Sequence, residues 1–328
     1  MFRRSSLSLL LMLLASSAYS EQNFSAINRF EKIFAATVVL TDSSAITFGI
    51  TDFDPSEFVS LPGDGDIEHP DSVELRKKIT VYSFPYTYEF PDDNDDWSQS
   101  ITGRIAYLRV DQTTEFFEAQ GLTPDQNKDE VVAAYFEYAQ EHRLSKGWSF
   151  GYGVGNHLMY YANTYSYRNQ ISEELKPRLD GTFLNTSTNT YLIEPTIKFI
   201  YREPTDWGEW RFDNHYYYFY GQGFGGSSEV SKEANPEGWR LINMLQMTYQ
   251  LTGENAFAQS LFLRGKRVDV GGDITSSFGT HHYLEASIGW LLNTTNKLPF
   301  LDNVGIGFNF NYGSALRGGS IVLFYNEM

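Results

Sequence analysis

From Asn303 to Tyr312 the chain reads Asn-Val-Gly-Ile-Gly-Phe-Asn-Phe-Asn-Tyr, with every second side chain apolar and every other one Gly or Asn. Successive side chains of a strand point to opposite faces. The pattern therefore predicts a strand with Val304, Ile306, Phe308, Phe310 and Tyr312 on one face and Asn303, Gly305, Gly307, Asn309 and Asn311 on the other. The same period of two recurs at Tyr82, Phe84, Tyr86, Tyr88 and Phe90, at Val132, Ala134, Phe136 and Tyr138, and at Tyr191, Ile193, Pro195, Ile197, Phe199 and Tyr201. About twelve strands follow: Ala45 to Thr51, Arg76 to Phe90, Ser98 to Val110, Val131 to His142, Trp148 to Tyr167, a sixth around Tyr191 to Arg202, Trp210 to Tyr220, Trp239 to Leu251, Gln259 to Arg264, Tyr283 to Leu292, Asn303 to Tyr312 and Ser320 to Asn326.

The connections alternate in length. Lys146-Gly147, Pro204 to Glu209 and Gly253 to Ala256 are short, whereas Asp52 to Val73, Asp111 to Asp129, Asn169 to Ser187, Gly221 to Glu237 and Lys266 to Ser277 are long. Pro91 to Trp97 and Asn293 to Asp302 belong to the short set by phase and are of medium length. Short turns at one end and long loops at the other are what an outer-membrane barrel shows, and a soluble sandwich has no reason to alternate them. Before the first strand the period changes. Ile27, Phe30 and Phe34 fall at helical spacing within Phe24 to Ala36, with Arg29, Glu31 and Lys32 elsewhere on the surface, which predicts a short helix.

Other features of the chain point the same way. Met1 to Ser20 carries Arg3 and Arg4, an apolar run from Leu7 to Ala15 and Ala18-Tyr19-Ser20, the pattern of a secretory signal peptide. No later stretch is long and apolar enough for a transmembrane helix, and a spanning chain without helices must close into a barrel to satisfy its backbone. Aromatic residues make up 16%, enough for an apolar exterior with interfacial girdles. A mean hydropathy of -0.36 argues against a helical membrane protein but suits a barrel, which keeps half of each strand and its loops in water. The net charge of -16 argues against nucleic acid as a partner, because phosphate binding needs a basic patch. With no cysteine, disulfides, thiolate nucleophiles and Cys-ligated metals are excluded.

The predicted lumen is where chemistry would lie. Alternation turns Glu137, Glu194, Lys198, Arg202, Arg211, Asp213, Arg240 and Glu285 inward as a network of mixed sign, which either pairs to fill the barrel or tunes ion selectivity. His281 and His282 are adjacent, so they point to opposite faces and cannot share one metal or substrate. Asn156-His157 lies on a strand with no Ser-Asn-Gly element beside it, so no catalytic site is expected. The acidic runs Asp64 to Asp71 and Asp92 to Asp96 lack the ligand ladder of a calcium loop and read as solvated loops. No metal and no cofactor is expected.

A leader, a short helix and about twelve strands resemble the translocator domain of autotransporters, and in particular the solitary outer-membrane autotransporter-like β-barrel family of Gram-negative bacteria. The resemblance covers Phe24 to Met328. It implies an outer-membrane location and a helix in the pore, with Ile27, Arg29, Phe30, Lys32 and Phe34 as its plug residues. Two features depart from the family pattern. The chain ends Leu323-Phe324-Tyr325-Asn326-Glu327-Met328, with its aromatics set back from the terminus, and no Asn-Asn pair closes the helix, so release of a passenger by self-cleavage is not expected. The expected organisation is a signal peptide over 1–20, a helix and lead-in over 21–44 and a barrel over 45–328. Without room for a passenger, the expected role is structural or transport-type and non-catalytic, with a small porin-like channel second and an outer-membrane protease or phospholipase third. Expected partners are outer-membrane lipid and, during insertion, the barrel-assembly machinery, with the protein a monomer. Gly305 and Gly307 are expected to leave room beside the wall for the helix.

Overall fold

The computed structural model describes residues 26–43, 45–49, 79–90, 96–114, 123–182, 184–227, 229–253, 257–298, 301–312 and 318–325. The leader, the acidic run Asp64 to Asp71 and most of Asp92 to Asp96 lie outside the described residues. A helix, α1, covers 26–40. The strands are β1 (Ile46–Gly49), β2 (Ile79–Glu89), β3 (Trp97–Thr114), β4 (Asp125–Ser145), β5 (Trp148–Ser166), β6 (Ser187–Thr205), β7 (Gly208–Phe224), β8 (Glu237–Gln250), β9 (Gln259–Gly272), β10 (His282–Leu298), β11 (Leu301–Tyr312) and β12 (Gly318–Tyr325). Each pairs antiparallel with its sequence neighbour, and β1 pairs with β12, so the sheet closes. Closure leaves no open edge.

Alternation sets the two faces. On β4, Val131, Ala133, Tyr135, Glu137 and Ala139 are buried while Val132, Ala134, Phe136 and Tyr138 between them are exposed. The exposed face is mostly apolar, and several of its aromatics cluster at the end with the short turns. There Trp148, Tyr201 and Trp210 pack in series with centroids 4.9 and 5.1 Å apart, and Trp207 stacks on Tyr249. A row of exposed amides and phenols, Gln99, Tyr138, Gln140 and Tyr152, joins β3, β4 and β5 by hydrogen bonds on the same face.

Several strands run further than the sequence pattern predicted. The expected loop Lys266 to Ser277 is instead the upper part of β9 followed by a one-and-a-half-turn helix, α3 (Asp273–Phe278), with α2 (Gln170–Leu179) in the loop after β5. The alternation continues there as Val268 and Val270 inside and Arg267 and Asp269 outside, and charged outer residues hid it. The expected loop Asp111 to Asp129 likewise loses its ends to β3 and β4, which pair as far as Thr114 with Asp125. Asn293 to Asp302 is not a medium connection: β10 continues to Leu298, which pairs with Leu301. The short set is thus more regular than the residue types suggested.

The long-loop rim is tied down by one carboxylate. Asp125, fully buried at the start of β4, accepts from the Tyr165 hydroxyl, the Arg168 backbone N–H, the Asn169 amide and the Ser172 hydroxyl, which pins α2 to the barrel mouth. At the same mouth α3 packs Ile274 and Phe278 into the core cluster that contains α1. Its Asp273 accepts from the Glu237 backbone N–H, and burial, with Glu237 nearby, raises the Asp273 carboxyl above its ordinary value.

Candidate functional site

The barrel encloses α1, and the contacts run down the helix in three tiers. At the mouth, Arg29 Nη2 reaches Asp129 Oδ1 at 3.0 Å, and Asp129 also accepts from the Tyr161 hydroxyl at 2.6 Å and from the Asn163 and Asn127 amides. The Asn235 backbone N–H donates to Glu31, and the Ser277 hydroxyl donates to the Lys32 carbonyl, so two rim segments also hold this end. In the middle, Phe30 and Phe34 are fully buried and meet Tyr161 edge-on with centroids 5.7 and 6.3 Å apart. Ile27 packs against the same cluster, formed by Leu108 of β3, Val131 of β4, Met159 of β5, Phe219 of β7 and Val268 of β9. Of the five plug residues the sequence suggested, four make these contacts and the Lys32 side chain is exposed at the mouth.

The third tier lies below the helix. The chain leaves α1 at Thr41, whose carbonyl accepts from the Ser83 hydroxyl, and Asp42 then faces two arginines from opposite walls. Its Oδ1 lies 2.7 Å from Arg104 Nη1 on β3 and its Oδ2 3.1 Å from Arg240 Nη2 on β8. Arg240 in turn holds Glu194 through two bonds of 2.7 and 3.1 Å, and each guanidinium lies over a phenol ring, Arg104 over Tyr135 and Arg240 over Tyr217. A carboxylate just past a helix C-terminus opposes the helix dipole, and the two arginines supply the compensating charge. His157 lies 3.5 Å from Glu194 and packs on Tyr135.

Further inward charges pair within one strand, between adjacent strands or across one intervening strand. Lys198 binds Glu137 at 3.0 Å, Arg202 binds Glu141, Arg211 binds Asp213, and Lys266 binds Glu285 at 2.7 Å. All eight lumen candidates thus have a charged partner. Asp42, Arg104, Asp129, His157 and Lys266 are absent from the sequence-derived set. Arg104 was accessible from alternation on β3, Lys266 only once β9 is seen to run past Arg264, and Asp42 precedes the first strand, so only the path of the chain places it.

After Asp42 the chain bends through Ser43, whose hydroxyl contacts the Ala45 carbonyl and the Thr47 hydroxyl, and enters β1 part-way up the wall. Thr47 pairs with Ser83, well above the lower end of β2 at Glu89. The helix therefore descends from the long-loop mouth to mid-barrel, and β1 climbs back. The space beside Gly305 and Gly307 is not taken by α1. Leu291 and the Phe324 ring fill it: a Cβ on Gly307 would lie 2.7 Å from Phe324, and one on Gly305 2.6 Å from Leu291. Phe324, Leu291, Phe262, Val322 and Ala45 form a second cluster on that side.

The model of the solitary outer membrane autotransporter beta-barrel domain matches residues 31–327. The chain belongs to that family. Among solved structures, the translocator domain of the autotransporter NalP from Neisseria meningitidis is similar over 75% of this chain and 78% of its own, at 11% identity and a TM-score of 0.50. The beta domain of the Bordetella autotransporter Brka aligns over 75% and 90% at 12% identity and a TM-score of 0.46. LpxR from Salmonella typhimurium aligns over 86% and 99% at 9% identity and 0.40. A comparison with curated proteins gave no match. At such identities a structural likeness speaks to the fold alone, and the family match carries the assignment.

Proposed function

We propose that this chain sits in the outer membrane of a Gram-negative bacterium as a closed autotransporter-like barrel, with a structural or transport-type role and no catalysis. The observation that carries this reading is the double tether of α1: Arg29 on Asp129 at the mouth, and Asp42 between Arg104 and Arg240 at mid-barrel. A lumen charge network that is paired wall to wall and wall to helix fills space and fixes register, as buried charges do when each has its counterion. Family membership supports the location. On this reading the partners are outer-membrane lipid and, during insertion, the barrel-assembly machinery.

The non-catalytic part draws support from His157. Glu194 is already engaged by both guanidinium nitrogens of Arg240, so it is poorly placed to orient the imidazole as a base. Planar-bilayer recordings test the closed lumen. The wild-type protein gives small or intermittent conductance, and the variant carrying Arg29→Ala with Asp42→Ala gives larger, longer openings while keeping the heat-dependent gel shift of a folded barrel. Equal and steady conductance in both would sink the reading. Incubation with phospholipid or basic peptides gives no turnover, and hydrolysis lost in His157→Ala would establish an enzyme instead.

A further inference from the structure

The outer wall carries a polar group that the lumen does not use. Across β7, β8 and β9 one register row joins Asn214, Asn243 and Arg267, and all three point outward because their neighbours Asp213, Met244 and Val268 are buried. On β7 the row passes between Phe212 and Tyr216, and on β8 between Leu241 and Leu245. Outward Trp210 and Tyr249 lie toward the short-turn end, and outward Tyr220 and Trp239 toward the mouth. The two asparagines are therefore inside the apolar band, where amides facing lipid are costly, and Arg267 follows the last apolar outer side chain of β9, Leu263, on the mouth side.

Its internal bonds leave capacity over. Asn214 Nδ2 donates to Asn243 Oδ1 at 2.8 Å, and among the described residues Asn214 Oδ1 and Asn243 Nδ2 have no hydrogen-bond partner. Arg267 is bound by Asp269, two residues up the same face, at 2.8 to 3.1 Å, yet its side chain stays 56% exposed. Beside the row the wall is indented. Outward Gly265 pairs with outward Ala286, and a Cβ on Gly265 would meet nothing within 4 Å.

The row is self-complementary. Two copies inserted the same way in one membrane can be related by a two-fold axis only along the membrane normal, and a two-fold contact uses the same patch twice. An axis through Asn243 sets that amide against its own copy and brings each Arg267 toward the free carbonyl oxygen of the other copy's Asn214. We propose that two copies of this chain associate side by side through Asn214, Asn243 and Arg267, with Gly265 and Ala286 admitting the close approach. The dimer stands in place of the monomer expected from the sequence, and it rests on the reading that this wall faces lipid.

The chain has no cysteine, so single-cysteine variants are clean probes. In outer membranes under mild oxidation, Asn243→Cys forms a disulfide-linked homodimer, and Val132→Cys, on the outer face of the distant strand β4, stays monomeric. Adding Arg267→Ala to Asn243→Cys lowers the yield several-fold. Leu245→Cys, on the same face, replaces Asn243→Cys if that variant does not insert. Homodimer no greater than with Val132→Cys, or a cross-link only to another protein, overturns the dimer. Val132→Cys also separates the two readings: protected from a water-soluble maleimide, it leaves the membrane reading standing, whereas free labelling overturns that reading and the dimer with it.

Discussion

At the scale of single residues, the mid-barrel arginine is where most is at stake. Arg240 and Glu194 are both buried, so removing one strands the other as an uncompensated charge, which costs about 3–5 kcal/mol. Arg240→Ala is therefore expected to lower the urea unfolding midpoint sharply in detergent. Arg240→Met with Glu194→Leu recovers most of it, because a buried pair replaced by apolar groups of similar volume loses little. A second residue-scale device is the seat of Phe324. A Cβ on Gly289 would fall 2.6 Å from the Phe324 ring, so Gly289→Ala overpacks the site and costs roughly 1–3 kcal/mol. Adding Phe324→Leu should return part of that stability in the same unfolding series, whereas an effect independent of residue 324 would point to the backbone. The alternation at Asn303 to Tyr312 made the small inner residues legible. What they accommodate was not, since the inward Phe324 comes from β12 and only pairing sets it across two neighbouring strands.

At the scale of elements, α1 and the wall are held by different forces and should fail separately. The strands are joined by a continuous backbone ladder, whereas the helix depends on Phe30 and Phe34 against Tyr161 and on its ionic tethers. Phe30→Ala with Phe34→Ala is expected to speed hydrogen exchange of the helix amides while those of β4 and β5 stay protected. Equal loss of protection in both would show that helix and wall form one cooperative unit. Among the described residues, the seam of β1 is the thinnest part of the wall, four partners on β12 and two on β2, against nineteen between β4 and β5. Amides of Thr47 and Phe48 should thus exchange before those of Tyr135 and Glu137. Strand existence was readable along most of the sequence. Strand ends were not, because beyond the apolar band a strand carries charged outer residues such as Arg267 and Asp269 that resemble a loop.

At the scale of the whole molecule, orientation is the property to check. The short turns, as at Lys146-Gly147, are expected on the periplasmic side, and α2 with the exposed Gly181 that follows it on the outside. An epitope inserted after Gly181 should be labelled on intact cells, and one at Lys146 only after permeabilisation; the reverse pattern would invert the barrel. The mouth that receives α1 is then the extracellular one.

Period, loop phase and aromatic content are local properties, and they sufficed to determine a closed antiparallel barrel, its apolar exterior and the inward set of charges, since each is encoded within a strand and its turns. Tertiary structure decided which charges meet. Glu194 finds Arg240 from a strand two places away, and Asp42, which belongs to no strand, becomes the hub of the lumen because α1 ends at mid-barrel. Such contacts depend on barrel stagger and on the depth of the helix, quantities that arise only when all twelve strands close.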